Sequence, residues 1–559
     1  MTLHVLGLRV HAFDLARPLW VVAAVGAAAV IVASRRWMRY ASAAGSALSI
    51  ALALVALARR ADPMPPVGDI GVIEIYIFDA LKGRLFLGPY SRFLWHHPGP
   101  IYFYMLAPFY ALSGYLTTGA AAGALAINIA SVALIAWTSR RAGARPVAML
   151  LTGVCVLYAI RFGRLFTSQW NPHVLVLPMM AFMVVAAAVA SGAIGLIPIL
   201  FGLASFAVQT HLGLAPSVAA VGACALAVAL WQSRHAPPAR RRFWWQVNAA
   251  LWVAAALWFL PIVEALTSPT GNLTRLWRFF AGSASSGQTP AVALAAWSAA
   301  TSGAVRSGFD LAWGGQLDPA VQIAPTAIAC ALAAALAWAA ASAFRAGRRF
   351  HAALAGLLVV ASAAALWSAA HIAGDIVDHE VFWMSGLGAL AMAAIVAEAA
   401  EVLAPQAVRA RAAWRSGTRA DLLIVVLIAL FIWRGAVDLR RRVDESRRPG
   451  DEEVAATTLF EEIAKYDRTE GTPRVRIDID GPAWDVAAGV LVELERAGVP
   501  FGVMPGASWM FGSGTSADGS ETRTILISSY AAHDAAIGKG GAVPLAERRG
   551  FFADVTAGR

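Results

Sequence analysis

Charge is what this chain has least of. Only 14% of its 559 residues are Asp, Glu, Lys or Arg, against roughly 25% in soluble globular domains. Lysine is nearly missing: among 45 basic residues it occurs only at Lys82, Lys465 and Lys539, and arginine supplies the rest. Three cysteines, Cys155, Cys224 and Cys330, are too few for a disulfide framework. Each lies in an apolar run, where it reads as a small core residue. These shortages exclude a soluble enzyme, a disordered chain and a disulfide-built scaffold. What is abundant instead is apolar: 59% of residues are hydrophobic, and the mean hydropathy is +0.62.

The net charge of +11 is unevenly placed. From Val437 onward 20 acids outnumber 15 bases, while the rest of the chain has 14 acids and 30 bases. In a soluble protein such a basic surplus points to nucleic acid. Set between apolar segments it points to an asymmetric membrane protein, with the lipid bilayer and not nucleic acid as its partner.

A spanning helix needs about 20 mostly apolar residues. About 12 such segments occur, near 18–34, 41–58, 118–138, 147–162, 173–191, 193–210, 212–231, 246–263, 325–344, 351–370, 382–402 and 421–436. Helices are expected because every backbone amide in lipid must be satisfied internally. The first run ends at Arg35-Arg36 and not at a small-residue cleavage site, so no cleavable signal peptide is expected. Four connections, 140–145, 234–242, 345–349 and 409–419, carry arginine without acid and belong on the cytoplasmic side. The alternate connections, about 59–100, 161–171, 209–211, 264–324 and 371–380, then face outward, as does the tail. Arg59-Arg60 run against that pattern.

Two regions follow: a polytopic domain over 1–436, with a long first outer loop at about 59–117, and an extracytoplasmic domain over 437–559. In the tail, 451–467 has helical spacing, 474–480 alternates as a half-buried strand, and 482–497 reads as a helix closed by Gly498. Strands are expected at 501–504 and 524–528, with a flexible loop at 512–519. This makes a small α/β soluble domain on an α-helical polytopic membrane protein.

The first outer loop holds the densest chemistry. Asp69, Glu74, Asp79, Lys82, Arg84, Arg92, His96 and His97 fall within about thirty residues. Ionisable groups at a membrane face are costly to bury, and such a cluster is a candidate site. The stretch starts Pro65-Pro66-Val67-Gly68-Asp69 and ends His96-His97-Pro98-Gly99-Pro100-Ile101-Tyr102. A Gly-Asp near the start of the first outer loop, an amphipathic stretch and then His-Pro-x-Pro resemble the GT-C membrane glycosyltransferases. The nearest likeness is to the protein mannosyltransferase and lipid A aminoarabinose transferase-like group. Asp69 is followed by Ile70 where that group often has a second acid, and His97-Pro98-Gly99-Pro100 stands where it often has His-Pro-Pro-Leu.

The resemblance implies a GT-C-like fold and a cell-envelope glycosyltransferase. Such an enzyme moves a sugar, with inversion, from a polyprenyl-phosphate donor to an acceptor hydroxyl on an envelope glycan, lipid or protein. The acceptor oxygen must lose a proton as it attacks, so a carboxylate must lie within its reach. Asp69 is the expected base; it is equally a favoured helix N-cap. Glu74, five residues on, lies round the helix from Asp69 and is the second acid. The departing phosphate needs donors where its charge develops. Arg92, His96 and His97 come first for that role, then Arg161 and Arg164. Tyr102, His211, Asp375, His379 and Glu380 are further cavity candidates. The acids and histidines of 371–380 can ligate a divalent metal, though their spacing fits no defined motif. The implied location is the inner membrane of a bacterial-type cell, with the site outside. Two other functions fit the composition: a transporter or flippase of lipid-linked precursors, and a non-enzymatic envelope assembly protein. A transporter is expected to carry binding groups at mid-membrane. Here the spans are almost free of charge at their centres.

Overall fold

The computed structural model describes residues 2–5, 8–11, 64–268, 271–282, 287–306, 308–310, 312–403, 418–445, 448–470, 474–538 and 541–556. The expected spans at 18–34 and 41–58, and Arg59-Arg60, lie outside the described residues. The elements begin with a hairpin, β1 (Thr2–Val5) and β2 (Leu8–His11), paired antiparallel. Two helices follow, α1 (Gly68–Leu81) and α2 (Ile101–Leu112). Then come α3 (Thr117–Arg141), α4 (Arg145–Arg161), α5 (Val176–Ala190), α6 (Ile197–Thr210), α7 (Ala215–Ser233) and α8 (Pro237–Thr267). After these lie α9 (Asn272–Gly282), α10 (Pro290–Thr301), α11 (Ile323–Arg345), α12 (Arg349–Ala370), α13 (Met384–Leu403) and α14 (Thr418–Glu445). The chain divides into two compact units. A helical unit holds 124–438 with 1–53, and a mixed unit joins 54–123 to 439–559.

Among the described residues eight helices are long and apolar enough to cross a membrane, and Ile101–Leu112, Ile194–Thr210 and Pro290–Thr301 are shorter apolar helices. The protein is a multi-pass membrane protein. All ten expected segments from 118–138 onward fall on helices. Local sequence sets many of their starts: proline occupies the first turn of α4, α6, α7, α8 and α10, where its missing N–H costs no helical bond. Every residue of α5 is buried. In contrast α8 exposes Trp244, Trp245, Trp252, Phe259 and Leu266, as suits a lipid-facing helix.

Within the helical unit the expected outer connections hydrogen-bond to one another. Arg161 donates to the Phe309 carbonyl, and Leu317 N–H to Ile376 O at 2.9 Å. The opposite connections are tied in their turn, with Arg140 3.0 Å from Asp421 and Gln232 donating to Ala190 O at 2.8 Å. The expected loop 264–324 carries two helices, α9 and α10. At the start of α9, Asn272 is buried and its backbone N–H donates to Glu264 Oε1 at 3.1 Å.

The mixed unit is built on a five-stranded sheet of order β4-β3-β5-β7-β6. Its elements are α15 (Asp451–Glu470), β3 (Val475–Ile479), α16 (Trp484–Ala497), β4 (Phe501–Val503), β5 (Arg523–Ser529), α17 (Tyr530–Gly538), β6 (Ala542–Arg548) and β7 (Phe551–Thr556). β3 pairs parallel with β4 and β5, and β7 runs antiparallel between β5 and β6. As expected, α16 stops at Gly498, whose φ of +68° is the left-handed helix cap. The β6–β7 hairpin and α17 were not expected from the sequence. Nor was the layer on the far side of α16: α1, from the first outer loop, packs directly on it. At the crossing Gly71 lies so close that a Cβ would sit 3.0 Å from the Ala488 Cβ.

Candidate functional site

Helix α1 positions the first acid. Val67 holds the N-cap with no side-chain cap bond, and Asp69 follows in the first turn. The expected N-cap position for Asp69 is therefore shifted by two residues. A carboxylate in the first turn is still favoured by the helix dipole. Asp69 is partly exposed. It accepts a hydrogen bond from the Tyr90 hydroxyl. Burial and the neighbouring Asp69 charge push the Tyr90 phenol well above its usual range, so Tyr90 stays protonated and serves as donor.

Tyr90 sits in a tight hairpin. Gly88 N–H donates to His97 O at 2.9 Å, His97 N–H to Pro89 O at 2.8 Å, and Ser91 N–H to Trp95 O at 2.8 Å. This pairing sets Tyr90 opposite His96. Arg92 is exposed at the hairpin tip, its guanidinium 4.7 Å from the Phe93 ring centre. His96 and His97 are buried. The His96 Nε2 lies 3.2 Å from the Tyr76 hydroxyl, which itself donates to Met510 O at 2.8 Å, so His96 is the donor of that pair. His97 packs edge-on against Trp95 with ring centres 5.3 Å apart. Tyr102, on α2, is fully buried beside Phe103.

Glu74 turns away from Asp69 into the protein. It is 0% exposed. Its Oε2 accepts from Tyr110 at 2.6 Å and from Arg496 of α16 at 2.8 Å. Burial raises the Glu74 carboxyl, and the Arg496 charge opposes that rise. Burial also disfavours the charged Arg496, but Glu74 outweighs it and holds the guanidinium protonated. This geometry makes Glu74 a tie between α1 and α16. Asp79 is likewise inside: burial raises its carboxyl against the pull of Arg84, whose Nε lies 2.7 Å away.

Two residues here carried no signal in the sequence. Tyr90 is one. The other is Trp509, in a one-turn helix, Ser508–Phe511. Its ring meets Tyr90 edge-on at 5.6 Å between centres. Trp509 lies 440 positions from Asp69, beyond the reach of any local motif.

The remaining candidates belong to the helical unit. Arg161 donates to the Phe309 carbonyl and lies 3.8 Å from Asp310, while Arg164 is exposed. Asp378 accepts from Trp313 N–H at 3.2 Å and Gly314 N–H at 2.8 Å. The Gln316 amide donates to Asp375 at 3.2 Å, and Val377 N–H to Glu380 at 3.0 Å. These acids thus pin 312–317 against 375–380. Among the described residues no group of three or more His, Cys, Asp or Glu side chains converges as a metal site. His379 lies 4.8 Å from Trp170 between ring centres, and Trp170 stacks on Trp313 at 6.0 Å. Burial, with the nearby His379, lowers His211 to about 3 and keeps it neutral.

No protein-family model matches the sequence, and no curated protein matches it. In fold the chain is similar to ArnT from Cupriavidus metallidurans. The apo structure of that protein aligns with a TM-score of 0.50 at 14% identity, over 92% of this chain and 98% of that one. Its structure bound to undecaprenyl phosphate aligns with a TM-score of 0.47 at 14% identity, over 91% and 97%. The fold is therefore ArnT-like, a mostly helical chain with a small C-terminal sheet.

Proposed function

We propose that the protein is a GT-C glycosyltransferase of the bacterial inner membrane. It moves a sugar from a polyprenyl-phosphate carrier to an acceptor hydroxyl outside the cytoplasm. The observation that carries this reading is Asp69: a partly exposed carboxylate in the first turn of α1, oriented by Tyr90, on a fold shared with apo ArnT. ArnT itself is described bound to undecaprenyl phosphate, the class of carrier assigned here.

In the proposed reaction Asp69 accepts the acceptor's hydroxyl proton. The freed oxygen pair forms the bond to the anomeric carbon. The bond from that carbon to the phosphate oxygen breaks, and its electron pair leaves with the polyprenyl phosphate. A single displacement inverts the anomeric centre. Because Tyr90 stays protonated, its hydrogen bond orients the Asp69 carboxylate. Exposed Arg92 is the first choice for the donor phosphate, since a guanidinium pairs with it bidentately. His96 and His97 are buried and support the hairpin that presents Arg92.

The test is mass analysis of polyprenyl-linked sugars and envelope glycans in a strain lacking the gene. The reading expects one lipid-linked sugar to accumulate and one glycan substituent to disappear, with both restored by the wild-type gene. Unchanged profiles of both would refute it.

A further inference from the structure

The turn bearing Trp509 is fastened to α1. Tyr76 donates to Met510 O at 2.8 Å, on the residue directly after Trp509. Two residues further, Gly512 adopts a φ of +90°, and a Cβ there would sit 3.0 Å from Asp79 Oδ2 and 3.3 Å from the Tyr76 ring. Only glycine meets both demands. The segment expected to be a flexible loop thus begins as a packed turn, held by the same helix that carries Asp69. Its purpose is not core filling, because Trp509 keeps part of its surface exposed. Phe511 of the same turn is the residue that fills the core, at 1% exposure.

Tyr90 and Trp509 together make an aromatic corner one hydrogen bond from the Asp69 carboxylate. A carboxylate joined through Tyr90 to a partly exposed indole suits one class of hydroxyl compound. A sugar ring has a C–H face that stacks on an aromatic face and hydroxyls at its rim that reach a carboxylate. A serine or threonine side chain has no such face, and an acyl chain has no hydroxyl to offer. Aromatic walls with a few convergent polar groups are the usual make-up of small-ligand sites.

We propose that Trp509 is a specificity-determining residue that stacks on the acceptor, and that the acceptor is a carbohydrate ring. The C-terminal α/β layer then supplies a wall of the acceptor site. This deepens the transferase reading and rests on it for the role of Asp69.

The test uses the full-length protein in lipid nanodiscs and saturation-transfer NMR against methyl glycosides of hexoses, hexosamines and pentoses. Wild type is expected to take up saturation from at least one glycoside. Trp509→Ala should lower that signal at least tenfold, and Trp509→Phe should keep it within about threefold. Asp69→Asn should keep the binding while losing transfer. Equal thermal melting of the variants separates a lost contact from a lost fold, and the Phe variant decides where Ala unfolds. Unchanged binding in Trp509→Ala, or no glycoside bound by wild type, overturns the proposal. If Asp69→Asn retains transfer, the transferase reading fails at its base while the Trp509 result stands.

Discussion

The two units hold their charge pairs differently. In the helical unit the pairs lie toward helix ends, as with Arg140 and Asp421 and with the buried Glu398 near the end of α13, and the interior of α5 is apolar throughout. In the mixed unit they lie inside: Glu74 is 0% exposed, Asp79 1% and the Arg496 side chain 11%. A bilayer penalises a buried charge severely. A water-facing layer tolerates one if it is paired and hydrogen-bonded. The mixed unit uses that freedom to join segments 422 positions apart, at Glu74 and Arg496. The contrast shows how α1 and the C-terminal segment become one body: by paired charges and close-packed glycines, not by sequence adjacency.

Breaking the largest of these ties should have the largest effect. Arg496→Met strands Glu74 without its cation and should destabilise the mixed unit by about 3–5 kcal/mol in denaturant unfolding. The double variant Glu74→Met with Arg496→Met should cost much less, because no charge is left buried. A smaller effect is expected at the matching pair of the helical unit. Arg348→Met removes a partner of buried Glu398, but Ser342 still donates to that carboxylate at 2.6 Å and His351 Nδ1 lies 3.5 Å from it. A loss of about 1–3 kcal/mol is expected there. Equal losses at the two sites would erase the comparison.

The smallest effect is in pH dependence, and its sign differs between the units. His211 is lowered to about 3 in the folded protein, from about 6.5 in an unfolded chain. Its contribution is complete above about 6.5 and fades as pH falls toward 3. Asp79 is raised by burial against Arg84. Its contribution is complete below the unfolded carboxylate value of about 4 and fades as pH rises through the raised value. Thermal melting between pH 4 and 8 should therefore lose part of its acid-side decline in His211→Gln and part of its rise-side decline in Asp79→Asn. The reverse assignment would contradict the burial described for both groups.

The helical unit was legible because its signal is local. Runs of about twenty apolar residues locate the described spans, and Pro146, Pro198 and Pro216 mark starts. The strand at 475–479 and the Gly498 stop were legible for the same reason. Asp69 was legible as a candidate carboxylate, since Pro65-Pro66 and Gly68 precede it. The partners of these residues were not. Nothing near Glu74 announces Arg496, and nothing near Tyr90 announces Trp509, because a contact across more than 400 positions leaves no periodicity. The 542–556 hairpin escaped for a different reason. Its turn at Arg549-Gly550 puts a non-glycine residue at φ +56°, so the usual Asn-Gly signal is absent.

The most direct measurement of the central claim is transfer by purified Asp69→Asn in nanodiscs, supplied with polyprenyl-linked sugars from the deletion strain. Losing the general base should slow transfer by about 10²–10⁴-fold, while the variant still binds the lipid-linked donor and melts like wild type. Turnover at the wild-type rate would show that the carboxylate beside Tyr90 takes no proton, and the account would fall.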